Sequence, residues 1–381
     1  MDQTYDVAII GGGPAGSSCA LALHGSGLRV ALIDKECFPR DKICGDNIPG
    51  QSFKAMNAIN PEWGKALRAF ADKEDIRTFK AYGPNGKPIS FDWKLYSCNS
   101  KRFDFDSFLM HLVREETQTT VIENSRLQQI TTGAGGVSCK LVDGNTFSAL
   151  MVIGCDGANS VVTRQLGTFD LRHTDSCAAV RSYFRNVSDM ESGVNEVYFI
   201  NELHPGYFWL FPLKNGWVNV GLGVLNDNKK KPVNLRNALQ AITAEHPVIA
   251  ARFKNATVMD EAKGFALPLG TKTLPISGDR FMLCGDAASL IDPLGGHGIS
   301  NAMWSGYLAA KQTIACFQAE DFSAGFMKQY DTAVYEKLGP ELFKNATLLK
   351  LCARFPRLLH LFFWVAQKMK LAQWLKSIFR I

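Results

Sequence analysis

Several things are missing from this sequence of 381 residues, and each absence excludes a class of protein. Its ten cysteines form no Cys-x-x-Cys pair and no zinc-like cluster, so neither a metal site nor a disulfide framework is expected. Cys155 and Cys284 lie inside apolar, strand-like runs, a placement that suits reduced thiols. No apolar run reaches the roughly 20 residues that span a bilayer. The chain enters an apolar run by Tyr5, so no signal peptide is expected and a cytoplasmic location is. Acidic residues stop at Glu341, while Lys344, Lys350, Arg354, Arg357, Lys368, Lys370, Lys376 and Arg380 follow. The net charge of +6 therefore belongs to the tail, and the rest of the chain is slightly acidic. No recognised module accompanies that basicity, so nucleic acid is not an expected partner. There is no internal repeat and no low-complexity tract. With 46% hydrophobic and 20% charged residues, the composition is that of a globular enzyme of two intimately joined domains.

What is present is organised around Tyr5–Gly16. A β-branched apolar run meets the turn Gly11-x-Gly13-Pro14-Ala15-Gly16, and a helical pattern continues to about His24. Gly11 permits the sharp turn, Gly13 lets the backbone approach a pyrophosphate, and Gly16 lets the helix pack on the strand. The helix N-terminus offers free N–H groups to the phosphates. A second strand, Arg29–Ile33, ends at Asp34, whose carboxylate can accept both hydroxyls of an adenosine ribose. An acid there disfavours a 2′-phosphate, which leaves NAD and FAD.

Two later motifs choose between them. Val152–Arg164 is a strand running into Asp156-Gly157, and Phe281–Ala288 is a strand running into Gly285-Asp286. A second strand-end carboxylate serves the hydroxyls of a ribityl chain, and Asp286 fits that role. FAD is the expected cofactor. No second G-x-G-x-x-G accompanies a strand and helix, so no dedicated nicotinamide domain is expected. Electrons would come from transiently docked NAD(P)H or from a separate reduced carrier.

Between these motifs the chain reads as follows. A Pro- and Gly-punctuated loop (37–50) precedes a helix at about 51–71 and short strands near 77–82 and 88–92. A helix spans 104–117, with Asp104 or Asp106 as its N-cap. Strands recur at 120–123, 127–131, 137–142 and 150–154, and then one after another from 177 to 224, rich in aromatics. Polar helices fill 233–253, a long helix runs from 299 to 317, and 322–381 is helical. The expected fold class is α/β: a Rossmann-like FAD domain with a parallel sheet and a three-stranded β-meander. It is interleaved with a mostly antiparallel substrate sheet and finished by a C-terminal helical cap. The expected FAD domain is assembled from 1–75, 100–165 and 270–330, the substrate domain from 76–99 and 166–269, and the cap from 331–381.

The three nucleotide motifs together resemble glutathione-reductase-type FAD proteins of the aromatic hydroxylase and geranylgeranyl reductase branch, over residues 1–320. The resemblance implies cofactor contacts from Gly11, Gly13, Pro14, Ala15, Gly16, Asp34 and Lys35 around the ADP half. Further contacts are implied for Arg40, Cys44, Gly45, Arg102, Asp156, Gly157, Gly285 and Asp286. Pro293-Leu294-Gly295-Gly296-His297-Gly298-Ile299 resembles the turn beside the flavin ring, where the following helix aims its positive end at the N1–C2 edge. Tyr207-Phe208-Trp209-Leu210-Phe211-Pro212 is similar to the Tyr-x-Trp-x-Phe-Pro signature of geranylgeranyl reductases. On a strand, Tyr207, Trp209 and Phe211 share one face, as a core stripe or as the lining of a greasy cavity. Halogenases carry Trp-x-Trp-x-Ile-Pro instead, so halogenation is disfavoured, and Lys80 reads as a solvated face residue.

Arg40-Asp41-Lys42-Ile43-Cys44-Gly45 resembles the Arg-x-Lys-x-Cys-Gly segment of the reductases, and two cations beside Cys44 would lower its thiol pKa. The implied activity is FAD-dependent reduction of carbon–carbon double bonds in a hydrophobic, isoprenoid or polyene chain, with Cys44, His297, Tyr207 or a bound water as candidate proton donors. A monooxygenase on the same fold and a non-catalytic prenyl or lipid carrier are the alternatives. Leu371, Trp374, Leu375, Ile378 and Phe379 recur at helical spacing opposite basic residues, which suits peripheral docking on a membrane surface or a lid over the cavity.

Overall fold

A computed structural model describes residues 3–171, 175–226 and 233–368. The stretch read as an amphipathic anchor, 371–379, lies outside them.

The first sheet contains β1 (Gln3–Ile10), β2 (Val30–Ile33), β6 (Thr120–Ile122), β7 (Leu127–Gly133), β8 (Gly136–Leu141), β9 (Thr146–Gly154), β16 (Ser277–Gly278) and β17 (Phe281–Leu283). Its order is β16-β17-β9-β1-β2-β6, with β7, β8 and β9 forming the three-stranded meander. β1 lies parallel to β2 and β9, and Ile10 is level with Ile33 and Gly154. Val7, Ala8 and Ile9 are fully buried. That explains the continuous apolar run: both faces of this parallel sheet are covered.

The second sheet contains β3 (Asn47–Ile48), β4 (Glu74–Tyr82), β5 (Pro88–Asn99), β10 (Ser176–Arg185), β11 (Val194–Tyr198), β12 (Gly206–Leu213), β13 (Trp217–Leu225), β14 (Thr257–Val258) and β15 (Lys263–Pro268). Its order is β14-β10-β13-β12-β11-β4-β5-β3, with β15 also on β10. Pairing is antiparallel except between β11 and β4. The aromatic strand β12 sits between β11 and β13 in the middle of this sheet.

The helices are α1 (Pro14–Ala22), α2 (Gly50–Ile59), α3 (Pro61–Ala69), α4 (Arg102–Glu116), α5 (Val161–Leu166), α6 (Leu235–Glu245), α7 (Ile299–Ala319), α8 (Ala324–Arg354) and α9 (Pro356–Lys368). α1 and α7 are in intimate contact. A Cβ on Gly306 would lie 2.1 Å from the Ala15 carbonyl oxygen, so only glycine allows that approach. The single helix expected at 51–71 is two, divided where Asn60 leaves helical geometry and its side chain caps α3 ahead of Pro61. Neither Asp104 nor Asp106 is an N-cap. α4 begins at Arg102 behind Lys101, whose side chain makes no cap bond, and Asp106 is buried one turn inside. Burial of two arginines at that helix start claims the carboxylate first.

α8 and α9 close one side of the molecule. Phe363 of α9 is buried against Gly83 and against Phe199, with ring centroids 5.5 Å apart in the second case. Leu361 and Trp364 on the same helix are more than half exposed. Among the described residues no helix is long and apolar enough to cross a membrane.

Candidate functional site

The glycine turn is as tight as its spacing implies. Gly11 has φ +104°, and a Cβ there would lie 2.4 Å from the Cys155 carbonyl oxygen. A Cβ on Gly16 would lie 1.9 Å from the Gly11 carbonyl oxygen. Gly13 caps α1 without a side chain and no acid occupies the first turn, so the end of α1 keeps its N–H groups for an external acceptor. Asp34 is buried at the end of β2 and accepts the Gly12 N–H at 2.6 Å and the Glu36 N–H at 2.9 Å. The carboxylate is thereby held rigidly at the mouth of the turn. Lys35 is mostly exposed beside it.

Two guanidinium groups stand over Gly13. A Cβ there would be 3.6 Å from Arg40 Nη2 and 4.0 Å from Arg102 Nη2. Both arginines converge on Asp106, which is fully buried. Arg102 donates from Nε (2.6 Å) and Nη2 (2.5 Å), and Arg40 Nη1 lies 2.7 Å from Oδ2. Burial pushes the Asp106 carboxyl up, but the Arg102 and Arg40 charges outweigh it and hold the group below its ordinary value. One carboxylate thus faces two cations, and Arg40 Nη1 makes no well-directed hydrogen bond although it is buried. A net positive charge, an open helix terminus and a cradle that a Cβ would fill are what a dinucleotide diphosphate requires.

Farther along, Lys42 Nζ lies 3.2 Å from Asp286 Oδ2, and a Cβ on Gly298 would lie 3.4 Å from Asp286 Oδ1. Gly285, at φ +58°, packs between Ala15 and Ala302. The strand-end motifs of β9 and β17 therefore meet the glycine turn and the start of α7. Asp156 is used differently from Asp286. Its carboxylate accepts from Ser160 Oγ (2.5 Å) and from the Val161 N–H (2.6 Å), fixing the start of α5 beside Gly157.

The loop from Pro293 to Gly298 is held by Asp292, which sequence reasoning passed over. Asp292 Oδ1 accepts the Leu294 and Gly295 N–H groups at 3.0 and 2.6 Å, and its Oδ2 accepts from Asn345 of α8 at 2.7 Å. Ile299 begins α7 with no side-chain cap, leaving that positive end toward the loop. Tyr207, from the other sheet, donates its hydroxyl to the Gly295 carbonyl at 3.0 Å. Burial raises the Tyr207 phenol, so it stays protonated. His297 lines the cavity. Burial lowers its pKa more than Asp292 and Glu341 raise it, so the ring is neutral at pH 7.

Tyr207, Trp209 and Phe211 form a continuous stripe with successive centroids 6.0 and 6.2 Å apart. A Cβ on Gly45 would lie 3.6 Å from Phe211 and 3.9 Å from Trp209, so the loop bearing Cys44 lies over this stripe. Lys80 is not simply solvated: its ammonium pairs with Glu191 and is largely covered.

Asp34, Arg40, Arg102, Asp286, the Tyr207–Phe211 stripe and His297 all line one cavity of about 1610 Å³. It runs from Gly11, Asp34 and Arg102, past Tyr207 and His297, to an apolar end walled by Leu342, Leu348, Leu358, Phe362 and Phe363. The ten cysteines are unpaired. No cluster of metal-ligating side chains occurs among the described residues.

A glycine turn, a strand-end acid and a second strand-end acid sharing one long cavity define an FAD-dependent oxidoreductase. The chain belongs to the FAD binding domain family, which matches residues 4–333, and within it to the geranylgeranyl reductase type. It is 30% identical over 323 residues to a menaquinone reductase of Mycobacterium tuberculosis, covering 82% of this chain and 77% of that one. It is 28% identical to a digeranylgeranylglycerophospholipid reductase of Methanoculleus marisnigri, over 91% of this chain and 85% of the other. The crystal structure of a geranylgeranyl bacteriochlorophyll reductase-like protein from Thermoplasma acidophilum superposes with a TM-score of 0.82 at 27% identity, covering 93% and 88% of the two chains. A flavin-dependent brominase, Bmp2, shares the fold at 20% identity with a TM-score of 0.80, covering 99% and 93%.

Proposed function

We propose that this enzyme reduces carbon–carbon double bonds of an isoprenoid chain. The observation that carries the reading is the cavity: one continuous space joins the cofactor end to an aromatic stripe and an apolar end formed by α8 and α9. The named substrates of the menaquinone and digeranylgeranylglycerophospholipid reductases share an isoprenoid chain, and such a chain suits those walls.

In this reading Gly11, Gly13, Pro14, Ala15 and Gly16 hold the ADP half of FAD, with Asp34 on the ribose and Lys35 at its edge. Arg40 and Arg102 take the diphosphate. Asp286, Gly285 and Lys42 face the ribityl chain, with Asp156 and Gly157 shaping the floor. Pro293, Gly295, Gly296, His297, Gly298 and Ile299 receive the ring. Held there and reduced, FAD would supply the hydride. An isolated alkene accepts hydride poorly, so the stripe of Tyr207, Trp209 and Phe211 must exclude water and hold the bond closely. Gly45 keeps the Cys44 loop low over that stripe. Cys44, His297 and Tyr207 are the candidates to supply a proton from the wall. Of these, Tyr207 is already committed to Gly295 and His297 is neutral at pH 7.

Leu351 and Leu358 line the apolar end of the cavity and are exposed, as are Phe355, Leu361 and Trp364 in the same stretch of chain, which also carries Lys350, Arg354 and Arg357. That rim suits an anionic lipid surface from which a chain enters. The electron donor is NAD(P)H docking transiently or a reduced carrier.

Anaerobic incubation of photoreduced protein with a panel of polyprenyl lipids, read by mass spectrometry, tests the reading. Products heavier by two hydrogens with reoxidation of the flavin are expected. Products gaining one oxygen in air, with NAD(P)H consumed, would make it a monooxygenase. A colourless protein that holds a lipid without turnover would make it a carrier.

A further inference from the structure

Two residues after Cys44 stands an acid tied to the aromatic stripe through Asn219. Asp46 is completely buried, has φ +64°, and forms part of the cavity wall. Its two oxygens are treated unequally. Oδ2 accepts from the Tyr183 hydroxyl at 2.7 Å and from Asn219 Nδ2 at 2.8 Å. Oδ1 has no partner.

The orientation of Asn219 is dictated by its other neighbours. The Trp209 indole N–H can only donate, and it donates to Asn219 Oδ1 at 2.8 Å. The Asn219 amide nitrogen must then face Asp46, and it also donates to the Cys44 carbonyl at 2.8 Å. A hydrogen-bonded chain therefore links the aromatic stripe, Asp46 and the backbone of Cys44. The Tyr183 phenol is raised by burial and by Asp46 itself, so its proton is not available.

We propose that Asp46 is the proton store of this cavity, carrying on Oδ1 the proton that completes alkene reduction. This rests on the reductase reading given above. As the new C–H bond forms at the carbon that does not take the hydride, the Asp46 O–H bond breaks. The carboxylate left behind regains a proton from solvent. The two electrons come from the reduced flavin, which ends oxidised.

The groups facing Asp46 act in both directions. Burial pushes its carboxyl up, while hydrogen bonds from Tyr183 (β10) and Asn219 (β13) and the charges of Arg181 (β10) and Arg102 (α4) pull it back, leaving it at about 6. Lys101, preceding α4, also feels this carboxylate. An acid balanced there is largely protonated in mildly acidic solution and exchanges readily near neutrality.

The test uses the full chain reconstituted with FAD. Infrared difference spectra recorded across the acidic and neutral range report carboxyl protonation with no substrate present. A carboxyl band titrating near pH 6 is expected in the wild type and absent in Asp46→Asn, whose amide oxygen still accepts from Tyr183 and Asn219. Should that variant not fold, Tyr183→Phe removes one donor to the ionised form, and the band should move to higher pH. A band near the ordinary carboxylate value of about 4, or one unmoved by both substitutions, overturns the proposal. In single turnovers with a polyprenyl lipid, the wild-type rate should fall as pH rises through that titration. Asp46→Asn should be about 100-fold slower below it and pH-independent. Wild-type rate and profile in that variant would overturn the delivery role. If no lipid is reduced by the wild type, the reductase reading fails, and the infrared titration still decides whether Asp46 holds the proton.

Discussion

Replacing Asp106 by Asn should destabilise the FAD-free protein more than the FAD-bound one. In the free protein this carboxylate is fully buried and is the shared partner of Arg102, itself 3% exposed, and of Arg40. Breaking such a buried pair leaves an uncompensated guanidinium and costs about 3–5 kcal/mol. With an unfolding entropy of roughly 2.1 cal/mol/K per residue, that is about 4–6 °C in Tm for a chain of this length. If bound FAD brings its diphosphate between the same two arginines, as proposed, it restores a counter-charge. Part of the loss should return, so the difference in Tm between FAD-saturated and FAD-free protein should widen. Calorimetric scans with and without saturating FAD measure both numbers, and the widening should shrink as salt is added. Equal losses in both states would mean that the arginines do not face the diphosphate and that the cofactor lies elsewhere.

Gly16→Ala places a methyl group 1.9 Å from the Gly11 carbonyl oxygen, so the turn must shift. The protein should purify without yellow colour while losing about 1–3 kcal/mol of stability, as absorbance and denaturant titration report. Tyr207→Phe removes the hydroxyl that donates to Gly295, a bond worth about 1 kcal/mol. Turnover should fall less than tenfold, because that proton is already committed, and a far larger loss in kcat would restore Tyr207 as proton donor. Asp46 holds its proton more tightly in the folded chain, at about 6 against an ordinary 3.8. Its contribution to stability is complete below the ordinary value and is lost as pH rises to about 6, roughly 3 kcal/mol in all. Asp46→Asn should flatten that slope in denaturation curves.

The parts of this site legible in the sequence are those whose chemistry is local. Gly11, Gly13 and Gly16 are diagnostic because a turn, a backbone approach and a helix–strand contact fall within six residues. The alternation of Tyr207, Trp209 and Phe211 puts them on one face of any strand. Asp46, Asp106 and Asp292 were not legible as site residues. Each acquires its character from partners distant in sequence: Tyr183 and Asn219 lie 137 and 173 residues after Asp46, and Asn345 lies 53 after Asp292. Asp106 shows the limit from the other side. An acid near a helix start has the signature of a cap, and only the burial of Arg102 and Arg40 around it shows that its electrostatic task takes precedence.

The proposed placement of the cofactor and the lipid in the cavity is measured directly by a structure of the protein with FAD and a polyprenyl lipid bound. The diphosphate should lie within hydrogen-bonding reach of Arg40 and Arg102 at the end of α1. The flavin ring should lie against Gly295–Ile299, with the lipid running along Trp209 and Phe211 toward Phe363. A diphosphate out of reach of both arginines, or a lipid seated anywhere but between the aromatic stripe and α8–α9, would contradict it.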